Sequence, residues 1–228
     1  MTSSARALAA EFFGTAALLA VVVGSGIMAE RLSPANAGVA LLANALATGL
    51  GLYLLITILG PVSRAHFNPV VTLAALLNGE CAAMMALAYV GVQWLGAIAG
   101  VGLAHVMFDL PLLQASAHVR TGIGQWVSEV VATAGLLVTI GGFTRFAPAQ
   151  TATAIGVYIA AAYWFTASTS FANPAVTTAR ALTDTFAGIR PEDVPPFIAS
   201  QLVGMAIGLV LVRMLFGKTS IEPVTPKR

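Results

Sequence analysis

Five residues, Asn-Pro-X-Val-Thr, occur twice in this chain, as Asn68–Thr72 and Asn173–Thr177. Both copies interrupt apolar sequence. Asn is a strong helix N-cap, and Pro suits the first helical position, where its missing N–H would have no partner anyway. The sequence is 58% hydrophobic and only 9% charged, whereas average soluble domains carry roughly 25% charged residues. The chain therefore reads as a polytopic membrane protein, with no length left for a large extramembrane domain. Each Asn-Pro then predicts a helix that starts inside the membrane. Such a start aims its free N–H groups and the positive end of its dipole at the bilayer midplane. Two of them suggest two half-helices meeting head to head across a small polar hole.

A span needs about 20 apolar residues. Six segments qualify: 7–29, 36–59, 82–106, 125–145, 152–169 and 195–217. Pro34 precedes the second, and Pro195-Pro196 opens the sixth. Segments 68–78 and 174–184, which begin at the Asn-Pro pairs, are too short to cross. Unsatisfied backbone in lipid costs several kcal/mol per group, so these segments belong within the bundle or along a wet cavity. The N-terminal apolar run is too long for the short core of a signal peptide and is taken as the first span. An even number of spans puts both termini on one side. Placing that side in the cytoplasm puts Arg6, Arg64, Arg145, Arg213, Lys218, Lys227 and Arg228 inside. Arg31, Arg120, Arg180 and Arg190 fall outside, a bias that agrees with the positive-inside rule. The tail 220–228, with two prolines, is expected to be loose.

The chain repeats itself in order. Glu11, Thr15, Ala16, Leu18 and Leu19 recur as Glu129, Thr133, Ala134, Leu136 and Leu137, with Gly14 answered by Ala132. The Asn-Pro copies follow. Gln93, Gly96 and Gly100 then recur as Gln201, Gly204 and Gly208. The repeats cover about 1–110 and 121–219. Each holds three spans, an odd number, so the second copy is inverted relative to the first. Inverted repeats with broken helices place the working site at their interface, near the midplane. The expected fold is an all-α membrane protein of six transmembrane helices plus two half-helices in one domain.

Several classes fall away. The net charge of +2 does not argue for nucleic acid, and the single Cys81 excludes an internal disulfide or a cysteine metal site. Cys81 is taken as a small packing residue, with a reactive thiol as the alternative. No nucleophile elbow, phosphate loop or metal-ligand cluster occurs, so neither an enzyme nor a cofactor is expected.

These motifs resemble the aquaporin superfamily, the major intrinsic proteins. The resemblance covers nearly the whole chain: Glu11 with Gly14-Thr15, the run Ser63, Ala65, His66, Asn68, Pro69, the Gln93 to Gly100 pattern, and Asn173-Pro174-Ala175. It implies a right-handed six-helix bundle, usually tetrameric, with one pore per subunit. Two departures stand out. Val70 replaces the Ala of the first Asn-Pro-Ala, which keeps the cap. Val176 occupies the position where the family normally has the Arg of its outer selectivity filter. Carried over by register from the two Asn residues, the other filter positions are Thr48, Ala161 and Ser170. That ring has neither an aromatic nor a charge, and it implies a wide, mildly polar filter. A Val in place of the filter Arg is similar to bacterial arsenic-resistance-associated aquaglyceroporins. The resemblance then implies passive passage of water, glycerol-like solutes and neutral metalloid acids such as arsenite, with methylated arsenicals as further candidates. The implied setting is the cell membrane, with lipid and small neutral solutes as partners.

Individual residues carry paired expectations. Asn68 and Asn173 are expected to cap their helices and turn two free amide donors each into the cavity. Glu11 and Glu129 either couple protons in a transporter or accept N–H bonds from the segments before each Asn; the second is preferred. His66 is a pore-wall residue with fixed partners, or a pH gate. Arg180 either pairs with Asp184 at the surface or supplies a displaced positive charge at the outer vestibule. His105 and His118 read as interface or loop residues. Trp126 and Trp164 read as interfacial anchors, and Trp94 as a residue that packs between helices or against a neighbouring subunit. The competing functions are a proton-coupled secondary transporter and a non-conducting structural member of the superfamily.

Overall fold

The structure, a computed structural model, describes residues 2–217. The tail 220–228 and the charges Lys218, Lys227 and Arg228 lie outside the described residues. Six long helices are formed: α1 (Ser3–Leu32), α2 (Ala37–Ser63), α4 (Ala83–Met107), α5 (Ile123–Phe146), α6 (Thr151–Phe165) and α8 (Val194–Phe216). Two short ones, α3 (Pro69–Leu77) and α7 (Pro174–Arg180), begin at the Asn-Pro pairs. Among the described residues there is no strand.

Local chemistry sets the ends. The Thr2 hydroxyl accepts from Ala5 N at 3.3 Å and starts α1. Asn36 does the same for α2, accepting from Val39 N at 3.1 Å. Pro195 and Pro196 sit in the first turn of α8, where no intrahelical N–H is lost. Five of the long helices are long and apolar enough to cross a membrane. The sixth, α6, has 15 residues and is preceded by a single 3-10 turn at Pro148–Gln150. It ends four residues earlier than the 152–169 segment predicts, because the chain beyond Phe165 leaves the helix to lead into α7. Likewise α7 stops at Arg180 rather than 184.

The two halves pack alike. α1 lies on α4, and α5 on α8, while α2 and α6 join the halves. The half-helices cross over: α3 touches both α4 and α8, and α7 touches both α8 and α4. Small residues let the backbones meet. A Cβ on Gly100 would lie 2.2 Å from Ala16 O, and one on Gly208 3.0 Å from Leu137 Cβ. The repeated glycines are thus contact points between paired helices, as small residues are wherever membrane helices approach closely. Long apolar side chains such as Leu50, Leu87 and Val131 face outward, as a lipid-facing surface requires.

Gly14 is the tightest case. A Cβ there would fall 2.1 Å from Phe67 Cε1. Its repeat mate is Ala132, and the mate of Phe67 is Ala172. The large ring beside no side chain in one half is matched by two methyls in the other. Replacing Gly100 by Val is expected to destabilise the protein by about 2 kcal/mol or more through overpacking. Thermal unfolding of purified protein in detergent checks this; an unchanged transition would mean that the α1–α4 contact yields freely.

Candidate functional site: a cavity between two half-helix starts

The segments before each half-helix are bent in the same way. Arg64, Ala65 and Phe67 have left-handed φ, and so do Thr169, Ser170 and Ala172. These positions lie four, three and one residues before Asn68 and Asn173 respectively. None is glycine, and each such residue costs on the order of 1–3 kcal/mol. Buried carboxylates hold them. Glu11 Oε1 accepts from His66 N at 2.9 Å and from the Ser63 hydroxyl at 2.6 Å. Its Oε2 accepts from Phe67 N and from Gln93 Nε2, both at 2.8 Å. Glu129 accepts from Phe171 N and Ala172 N, each at 2.9 Å, and from Gln201 Nε2 at 2.6 Å. Each glutamine amide also donates into its half-helix, Gln93 to Thr72 Oγ1 and Gln201 to Thr177 Oγ1. A hydrogen bond to a charged group is worth about 1.5–3 kcal/mol. Three or four on one carboxylate are of the scale needed to offset three strained residues.

The caps face each other. Asn68 Oδ1 accepts from Val70 N at 2.9 Å. Asn173 Oδ1 accepts from Ala175 N at 3.0 Å and Val176 N at 3.2 Å. The amide nitrogens then cross between halves. Asn68 Nδ2 donates to Ala172 O at 2.7 Å, and Asn173 Nδ2 donates to Phe67 O at 2.8 Å. This corrects the expectation of two free donors on each amide: one hydrogen is spent on the other half, and one remains. Pro69, Val70, Pro174 and Ala175 are buried and support the helix starts; Asn68 and Asn173 themselves line the cavity.

A cavity of about 590 Å³ runs past the two amides. At one end stand Arg64, Glu80 and Arg145; at the other, Thr48, Tyr163, Val176 and Arg180. His66 is on its wall, with Nδ1 3.1 Å from Thr72 Oγ1 and its ring edge-on to Tyr89. Thr48, Ser170 and Val176 line the cavity as the register predicts. Ala161 does not: it is exposed on the opposite side of α6. The inward face of α6 is Ile155, Ile159 and Tyr163, a spacing of four. Residue 161 sits two positions, about 200°, away from 163. Counting back from Asn173 misplaced it, since that count crosses a non-helical segment. Tyr163 lines the cavity from α6 instead, and its hydroxyl donates to Thr48 Oγ1 at 3.3 Å.

Arg180 is also corrected. It is 2% exposed and makes no surface pair; Asp184 instead accepts from Ala117 N. The Arg180 Nε donates to Ala187 O. Its guanidinium carbon lies 3.5 Å from the Phe171 ring centroid. Arg120 reaches the same ring at 5.0 Å and donates to Gly188 O at 2.7 Å. His105 is not a loop residue: it is fully buried in α4, with Nε2 2.8 Å from Thr183 Oγ1. Trp94 and Trp164 are exposed, while Trp126 packs beside Phe171, Ile189 and Phe197. Tyr163, Phe171 and Arg120 escaped the sequence reading; the four-residue spacing along α6 was the available signal for the first.

Glu129→Gln exchanges one acceptor oxygen for an amide that faces two N–H donors. We expect a loss of about 2–3 kcal/mol, measured by thermal unfolding, with Glu129→Asp less severe. Equal stability of Glu129→Gln and wild type would show that the carboxylate does not hold the 169–172 bend.

A family model described as "Major intrinsic protein" matches residues 1–149. Aquaglyceroporin AqpS of Rhizobium meliloti (strain 1021) is 52% identical over 221 residues, 97% of this chain and 92% of that protein. Aquaporin-2 of Rattus norvegicus is 42% identical over 100 residues, 44% of this chain and 35% of that protein. Among solved structures, the aquaglyceroporin from Plasmodium falciparum superposes with a TM-score of 0.70 over 95% of this chain and 96% of its own, at 21% identity. That likeness carries the fold. Head-to-head half-helices, an ordered repeat and a relative matched from end to end lead to one conclusion: the chain belongs to the major intrinsic protein family, a family of multi-pass membrane channels.

Proposed function

We propose that the protein is a passive channel for small uncharged solutes: water, glycerol-like molecules and neutral metalloid acids, with arsenite and methylated arsenicals among them. One observation carries this reading. The two Asn amides stand on a single cavity, each tied to the other half and each keeping a hydrogen for a passing solute. Solute class is argued from the filter. Val176 leaves width where a long cation would close the ring, and Thr48, Ser170 and Tyr163 add only mild polarity. The similarity to a protein named an aquaglyceroporin points the same way.

The carboxylates favour a channel over a proton-coupled transporter. Glu11 and Glu129 are fully buried and engaged by backbone and glutamine N–H groups, so their role is to hold the bends. We place the protein in the cell membrane with both termini cytoplasmic. Arg6, Arg64, Arg145 and Arg213 gather at one end of the helices, whereas Arg120, in a loop, and Arg180, at the end of α7, turn into the protein. A homotetramer, one pore per subunit, fits the exposed apolar helix faces.

In proteoliposomes, glycerol should equilibrate and never accumulate, with or without a pH gradient; accumulation driven by the gradient would establish a transporter. Val176→Arg should cut glycerol flux by about tenfold, the order of one missing or added group in a tight pocket, while water flux persists. Equal glycerol uptake by both forms in stopped-flow swelling would remove Val176 from the filter.

A further inference from the structure

Arg180 is buried without a counter-ion. Its Nε is used by Ala187 O, and its flat face lies on Phe171. No protein acceptor among the described residues meets its two Nη atoms, which carry four N–H donors. The neighbouring acids are committed elsewhere. Asp184 accepts from Ala117 N, Asp193 from Arg120 N and Arg190, and Glu129 from three N–H groups. Arg120 adds a second guanidinium over the same ring. Of the described residues lining the outer half of the cavity, Arg180 alone is charged. Ser170, on the lining of the same cavity, has a hydroxyl oxygen without a partner.

A buried charge left without an opposite charge is strongly unfavourable, and a guanidinium edge matches two oxygens of a planar anion. A neutral polyol would satisfy the N–H donors but not the charge. We propose that the outer end of the cavity is a binding site for a small planar monoanion of the carboxylate or nitrate type, held by the Nη edge of Arg180. Val176, one turn earlier on α7, leaves the space such an anion fills. This inference rests on the reading of the cavity as the conduction path, and it adds a charged class to the solutes that enter.

The probe is nitrate, which stays ionised at every working pH, with equal chloride as the reference. In proteoliposomes of wild-type protein, nitrate at about ten times its Kd should slow glycerol swelling by about tenfold, since about one pore in ten is then unoccupied. Arg180→Gln should abolish that slowing, and Arg180→Lys should keep part of it. Wild-type glycerol flux that is identical in nitrate and chloride overturns the site, as does slowing that survives in Arg180→Gln. Should the Gln variant not fold, the wild-type and Lys comparisons decide. A wild type that passes no glycerol defeats the channel reading instead. In that case the anion site is judged in detergent: nitrate should raise the Tm of wild type over chloride, and no rise overturns it.

Discussion

Two hydrogen bonds, each from an asparagine amide to a carbonyl of the opposite half, fasten this protein at its centre. Asn68 reaches Ala172 O, and Asn173 reaches Phe67 O. Both donors are buried, where an unmade hydrogen bond costs far more than a made one contributes. The bonds therefore fix the distance and facing of α3 and α7, and every long helix is arranged so that those two starts can meet. The close glycine contacts between α1 and α4, and between α5 and α8, bring the spans near enough for this to happen.

The carboxylates do for the bends what the amides do for the junction. A main chain that holds three non-glycine residues at positive φ on each side would relax if left alone. Glu11 and Glu129 collect the N–H groups that such a bend turns away from the cavity. Their charge makes those bonds strong, and full burial keeps water from competing. The glutamines extend the brace from each carboxylate into the neighbouring half-helix. The two halves solve the same problem with different volumes, Gly14 with Phe67 and Ala132 with Ala172, so the symmetry lies in the bonds and not in the side chains.

Much of this was legible in the sequence. Spans are long apolar runs, and Asn-Pro writes a helix start whose cap does not depend on distant residues. The ordered repeat told where each half began. Tertiary geometry was the harder part. Register carried from Asn173 through a non-helical segment does not locate the inward face of α6, whereas the spacing of Ile155, Ile159 and Tyr163 marks it and leaves Ala161 outside. Arg180 looked like a surface cation beside Asp184, since local charge spacing says nothing about Phe171 or the Ala187 carbonyl. The amide hydrogens of Asn68 and Asn173 looked free because their acceptors lie over a hundred residues away.

The crossed amides also bear on biogenesis. During synthesis α3 emerges with its amide donor bare, since Ala172 has not yet been made. Until the second half arrives, the re-entrant segment of the first lacks that lock. Closure is then mutual: each cap is completed by the loop ahead of the other. A nascent chain halted between the repeats would leave the Asn68 amide without the Ala172 carbonyl that accepts from it.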